Sequence, residues 1–390
     1  MPAMRARTSF PSRRRSLGLS LVEILVGVAI GLIGIVAIFQ AIAVWSKHTA
    51  TTSSGGDAQV AGTLALFNIE RDLKQAGHGI GRAVTQVMGC TVAATDTTPA
   101  RAFNFGLRPV QIAASAGGAP DQISVLYGDS SFYVEEGGFT DATASTKKLR
   151  RRGGFKPGDV AVVAVNPGAS AATATCQLVQ ITDDSDPDGY TVAHSTAPFT
   201  SFYAASAPAA ASRFNSGVAP GAVAGTMYNL GPQPRLDVWS IQNNRVLVRT
   251  DVIHATPAAQ IAEGVINLKA EYGVDNNADG TISAAEWQTA APADWRQLLA
   301  IRVAVLVRSR QFERNRDAGS ASGVSAVTPT AANPYYFGDP VGRKFLMTNV
   351  DGTPDAFSDT DGVPNNWRYY RYRVYERVIP LRNMLWGNWG

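Results

Sequence analysis

Asp275, Asn277, Asp279, Thr281, Ser283 and Glu286 stand at the first, third, fifth, seventh, ninth and twelfth places of a calcium loop, and Gly280 fills the sixth. In this run, DNNADGTISAAE, the side chains of Asp275, Asn277 and Asp279 would supply oxygens. Thr281 would add its carbonyl, Ser283 its hydroxyl or a water, and Glu286 both carboxylate oxygens. Hard oxygen donors at this spacing favour Ca²⁺ over zinc or copper. The competing reading is an acidic hairpin turn whose Asp, Asn and Gly serve backbone geometry alone. A second acidic turn, Asp184, Asp186, Asp188 and Gly189, begins the same way. Its twelfth place is Ser195, so it lacks the closing carboxylate and reads as a strand connection.

Other reactive groups are sparse. Cys90 and Cys176 are the two cysteines, and neither belongs to a CxxC pair, which excludes a Cys-rich zinc module. In an exported body they are expected to form a disulfide; two unrelated buried thiols are the alternative. His48, His78, His194 and His254 are scattered, and no HExxH, GxSxG, P-loop or GxGxxG signature is present. Catalysis is therefore not expected. Lys147, Lys148, Arg150, Arg151 and Arg152 form the basic cluster of the body. Without interleaved aromatics it reads as a solvated loop rather than a nucleic-acid surface.

These groups need a scaffold, and the chain offers two kinds. From Ile24 to Trp45 no residue is charged, which makes a helix of about 33 Å, enough for a bilayer core of about 30 Å. Arg5, Arg7, Arg13, Arg14 and Arg15 precede it and carry the excess behind the net charge of +4. The positive-inside rule keeps them cytoplasmic and sends the body outward. The apolar stretch is too long for a cleaved secretory signal. Glu23, among Leu21, Val22, Ile24 and Leu25, is an ionisable group at the edge of a membrane segment and so a candidate for function. Gly27 and Gly31 give a GxxxG spacing, with Gly34 close to the same face.

Helical periodicity resumes near Ala58, with Val60, Leu64, Phe67 and Leu73 as the apolar positions and Gly77 as the stop. One helix over 21–76 is expected, kinked or frayed at Ser53-Ser54-Gly55-Gly56. Strand-like runs follow at Gln122–Tyr127, Asp159–Val165, Cys176–Thr182, Leu236–Ile241, Arg245–Val252, Val265–Val274, Ile301–Arg308 and Tyr369–Ile379. Gln242-Asn243-Asn244 is expected to join two of them as a hairpin. Small-residue stretches at 200–226 and 317–334 read as long surface loops. The expected fold is α+β: a long N-terminal membrane and spine helix, then a mostly antiparallel β globular domain with long loops.

The stretch RRRSLGLSLVE, at 13–23, resembles the class III signal of type IV prepilins. The resemblance implies cleavage by a prepilin peptidase after Gly18, methylation of the new amine at Leu19, and a glutamate, Glu23, at the fifth mature position. Leu19 departs from the usual phenylalanine. Residues 19 and 23 are one helical turn apart, so that amine could meet the Glu23 carboxylate of its own or an adjacent chain and set subunit register. Further on, Phe67–Gly77 is similar to the "RDLRQAG" end of the spine helix in PilW-like minor pilins. Phe155-x-x-Gly158-Asp159 with Val160–Val165, Tyr272–Asp275, Trp295 with Ile301–Val303, and Arg377–Asn383 resemble the same family in order.

Membership would imply a minor pilin that primes type IV pilus assembly, with a place near the tip. Its partners would be other minor and major pilins, the prepilin peptidase, the inner-membrane assembly platform and lipid. The implied organisation is a cytoplasmic leader at 1–18, a bacterial inner-membrane helix at 19–45, its extracytoplasmic continuation at 46–77 and a periplasmic β domain at 78–390, later on the pilus or cell surface. Two alternatives stay open: a type II secretion pseudopilin, and a tip-exposed calcium-dependent adhesin or DNA-uptake module.

Overall fold

The computed structural model describes residues 20–83, 87–131, 137–151, 154–165, 174–185, 189–217, 224–243, 245–311, 336–337, 343–345, 367 and 370–387. By internal contacts the chain divides into two units, Met1–Ser53 and Ser54–Gly390. Helix α1 runs Leu21–Gln75, and α2 runs Arg382–Gly387. In chain order the strands are β1 (Thr91–Thr97), β2 (Ala100–Gly106), β3 (Val110–Ala113), β4 (Gln122–Tyr127), β5 (Gly137–Ala142), β6 (Thr146–Leu149) and β7 (Val160–Val165). There follow β8 (Thr175–Gln180), β9 (Thr191–Ala193), β10 (Gly225–Gly231), β11 (Arg235–Gln242), β12 (Val246–Asp251) and β13 (Ala259–Glu263). The last are β14 (Val265–Val274), β15 (Trp287–Gln288), β16 (Leu298–Arg308), β17 (Tyr336–Phe337), β18 (Arg343–Lys344) and β19 (Tyr372–Pro380).

The strands form an eight-stranded sheet, β2-β1-β8-β7-β10-β5-β6-β9, a five-stranded sheet, β13-β12-β11-β4-β3, and a four-stranded sheet, β15-β14-β16-β19, besides the β17–β18 pair. Among the described strands all pairings are antiparallel except β1 with β8. The α+β expectation holds.

Strand periodicity explains where the cores lie. In β7 every residue is buried, because Val160, Val162 and Ala164 face the main core while Ala161, Val163 and Val165 face a second one with Phe139 and Phe155. Strand β16 divides likewise: Ile301, Val303 and Val305 join the main core, and Ala304 and Leu306 meet Phe345, Trp367 and Tyr372. The main core also takes in Leu66, Ile69 and Leu73 of α1 and Trp239 of β11. The expected hairpin is present: β11 and β12 pair from Gln242↔Val246 onward, and Asn243 takes the left-handed conformation, at φ 50°.

Two expectations are corrected. The helix is not frayed at 53–56, where all four residues are helical. Ser53 bonds back to the Ala50 carbonyl, and the buried Ser54 hydroxyl accepts from the Gln311 backbone N–H at 2.9 Å, so tertiary contact overrides a poor local propensity. The 200–226 stretch is not all loop either: it holds a short 3₁₀ turn at Phe202–Ala204, and β10 begins at Gly225. The 317–334 stretch lies outside the described residues.

Candidate functional site

The first unit is dominated by one surface. Leu21–Ser46 has a mean hydropathy of 2.8 and none of it is buried, so the helix is long and apolar enough to cross a membrane. Glu23 lies in its first turn, where the exposed helical N–H groups favour a negative side chain. Among the described residues, a Cβ added at Gly27, Gly31 or Gly34 would meet nothing within 4 Å, so no packing there requires these glycines. Gly18 and Leu19 lie outside the described residues.

In the second unit, the end of α1 is seated on the β body. Its buried face is Gly62, Ala65, Leu66, Ile69, Asp72 and Leu73, and Ala76, just past its end, is buried with them. This corrects the expected stripe: Leu73 is buried, but Val60, Leu64 and Phe67 are exposed. The reason is close approach. A Cβ on Gly62 would fall 2.3 Å from the Tyr375 ring, so only glycine lets β19 lie against the helix here. Hydrophobicity alone therefore points to the wrong side of the helix.

The C-terminal segment grips the helix end. Arg377 and Lys74 both pair with Glu70, Lys74 at 2.6 Å. The Asn383 amide donates to the carbonyls of Gln75 and Ala76 at 3.0 and 3.1 Å, groups that the helix itself leaves without partners. Gly77, at φ 80°, ends the helix as expected and donates its N–H to Leu126 at 2.9 Å. Sequence reading missed the contact of Gly62 with Tyr375, and it named Asn383 as part of a family-like run without its role at the helix end. The signal for the first was a small residue at helical spacing from Leu66, Ile69 and Leu73.

Cys90 and Cys176 form the expected disulfide, with both residues buried. Cys90 directly precedes β1, and Cys176 lies in β8, opposite Val92 in the parallel pairing of these strands. The bond therefore fastens a non-local junction of the eight-stranded sheet.

The loop after β14 is ordered by its own carboxylates. Asp275 accepts from the N–H groups of Asp279 and Gly280 at 3.1 and 2.8 Å, and Asp279 accepts from the Thr281 N–H and hydroxyl, both at 2.8 Å. Glu286, buried in a 3₁₀ turn, reaches back to Asn276 N at 3.2 Å and Ser283 N at 2.8 Å, so it closes the loop at both ends. Asn277 donates to Asp279 at 2.9 Å. Hydrogen bonds from Thr281 hold the Asp279 carboxyl below the ordinary carboxylate range, and those from Ser283 do the same for Glu286. All the side-chain donors are oxygens, a set suited to Ca²⁺. They bond the loop backbone, however, and among the described residues no group of three or more His, Cys, Asp or Glu side chains is placed to hold a metal ion.

The basic cluster is not a solvated loop. It starts in β6, between β5 and β9 of the eight-stranded sheet, and strand alternation buries Lys147 while leaving Lys148 and Arg150 exposed. The Lys147 ammonium donates to the carbonyls of Thr143 and Thr146 at 2.6 and 3.2 Å, and burial lowers its pKa to about 8. Arg152 lies outside the described residues, as do 186–188 of the second acidic turn, where Asp184 pairs with Lys156 at 2.9 Å. His194 is buried and its pKa falls to about 4, through desolvation and the nearby Lys147. His254 binds Asp251 at 2.7 Å.

No curated protein and no solved structure matches the chain. Residues 240–383 match the family model described as Type IV Pilus-assembly protein W. That stretch contains the acidic loop, the four-stranded sheet, and the strand and Asn383 that hold the helix end. Over that stretch, which is less than half of the chain, the protein is similar to the PilW family of type IV pilus-assembly proteins.

Proposed function

We propose that this protein is a minor pilin, processed after Gly18, methylated at Leu19, and inserted into a type IV pilus to prime its assembly. The observation that carries this reading is an apolar, uncovered helix, Leu21–Ser46, in a chain whose C-terminal part matches a pilus-assembly family. Hydrocarbon surface of that length needs lipid before assembly and neighbouring helices after it. The open faces of Gly27, Gly31 and Gly34 suit close helix approach. In such a low-dielectric bundle, Glu23 and the amine of Leu19 form the charge pair that fixes register. The arginines of the leader stay cytoplasmic, and the β body matures in the periplasm, where its disulfide forms. Glu23→Ala chains should reach the membrane, be cleaved, and fail to support wild-type piliation. Normal pilus numbers with that variant would remove the register role.

The loop at 275–286 is proposed as a structural Ca²⁺ site. Asp275, Asn277, Asp279, Thr281, Ser283 and Glu286 would hold the ion, and the buried Glu286, already folded over both ends of the loop, favours this reading. Calcium titration of the chain, read by melting temperature, tests it against a Glu286→Gln control.

A further inference from the structure

Asp72 is fully buried on the seated face of α1, one residue from the exposed Arg71. Its carboxylate is loosely held. Arg71 approaches at 3.3 Å and Arg249 of β12 at 3.5 Å, and among the described residues no backbone N–H contributes. Asp96, equally buried in β1, shows what a well-paired carboxylate looks like here. It takes two bonds of 2.7 Å from Arg213 and one of 2.9 Å from Thr98 N. Those contacts outweigh burial and keep Asp96 below the ordinary carboxylate range.

Around Asp72 the balance is reversed. Facing it from β11 is Asp237, also fully buried, which takes the Tyr127 hydroxyl of β4 at 2.8 Å and Arg235 at 3.2 Å. Arg249 serves both carboxylates, at 3.5 Å from Asp72 and 3.9 Å from Asp237. The remaining charged groups of the cluster are Asp251 of β12, 3.8 Å from Arg235, and His254, which Asp251 engages at 2.7 Å. Two buried carboxylates thus share one guanidinium across the helix–sheet junction, and the helical one has the poorer bonds. A buried charge held this weakly is destabilising, and a proton on it removes the cost.

We propose that Asp72 is a proton-controlled latch, which fastens the last turns of α1 to the five-stranded sheet more firmly when its carboxyl is protonated. Burial first, then the charge of Asp237, raises the Asp72 pKa. The folded carboxyl therefore holds its proton more tightly than the unfolded one. Stability from this site is gained as pH falls through the folded-state value towards the ordinary carboxylate range. The latch depends on the fold of the second unit and not on whether the chain enters a filament.

The test uses the full chain in detergent micelles, with hydrogen exchange of amides 66–76 followed at pH 7.5 and at about pH 4, the ordinary carboxylate value, after correction for intrinsic rates. Wild-type protection should rise on acidification. Asp72→Asn should show the low-pH protection at both values and should melt higher than wild type at pH 7.5, by about 2 °C for each pK unit of the shift it abolishes. Asp237→Asn, which relieves the like charge but keeps an acceptor for Tyr127, should shrink the pH effect. The proposal is overturned if Asp72→Asn loosens 66–76 or fails to fold, because the carboxylate would then be a needed ion-pair partner. An unchanged pH effect in both variants overturns it equally.

Discussion

Removing the Cys90–Cys176 bond perturbs the body at the non-local pairing of β1 with β8. The two residues lie 86 apart in sequence, so the bond closes a loop that contains β1 to β7 and reaches β8. Loop-closure entropy for that length, at about −2.1 − 1.5R ln n, gives roughly 4.6 kcal/mol at 25 °C. A unit the size of Ser54–Gly390 has an unfolding entropy of about 0.7 kcal/mol/K, which converts the loss to a fall in melting temperature of about 6–7 °C. The assay is thermal unfolding of the full chain in micelles, comparing the oxidised protein, the reduced protein and a Cys90→Ala/Cys176→Ala chain. Reduction keeps both buried sulfurs and isolates the loop term; the double variant adds the lost packing of two small side chains. A shift below about 2 °C on reduction would refute the argument that the bond confines the unfolded chain.

Other outcomes follow from named contacts. Gly62→Ala should cost about 1–3 kcal/mol, because its methyl meets the Tyr375 ring; a double-mutant cycle with Tyr375→Ala should show strong coupling. His194 is buried neutral with a pKa lowered to about 4, so its stabilising contribution is complete above about pH 6.5 and lost as pH falls towards 4. His194→Gln should flatten melting temperature across that window, which a pH series of melts would read. Calcium should raise the melting temperature of the wild-type chain and not that of Glu286→Gln, as measured by titration against magnesium.

How much of this was legible in the sequence depended on how burial is encoded. Strands β4, β7, β11, β12, β14 and β16 carry runs of Val, Ile and Leu, and they fall where the alternation places them. Strands β1 (TVAATDT), β5 (GGFTDA) and β10 (GTMYNLG) do not announce themselves. Their small and polar residues become strand through neighbours distant in sequence. The same holds for the site. The stop at Gly77 is a local pattern, and the cysteine pair follows from there being two cysteines in the chain; both were readable. The face of α1 that seats the body was misassigned, because Gly62 and Asp72 are buried there while Phe67 is exposed. No periodicity rule ranks a glycine or an aspartate above a phenylalanine as core. Lys147 failed for a related reason: five basic residues in six positions read as solvent-facing, yet strand alternation turns the first of them inward.

The central claim is that the N-terminal helix is a processed assembly element and not a plain anchor. Protein recovered from the membrane fraction and from sheared filaments can be sequenced from its N-terminus and weighed intact. The account predicts one mature start, Leu19, carrying a methylated amine and followed four residues later by Glu23. A chain that keeps its arginine-rich leader, or one that begins at any other residue, would contradict it.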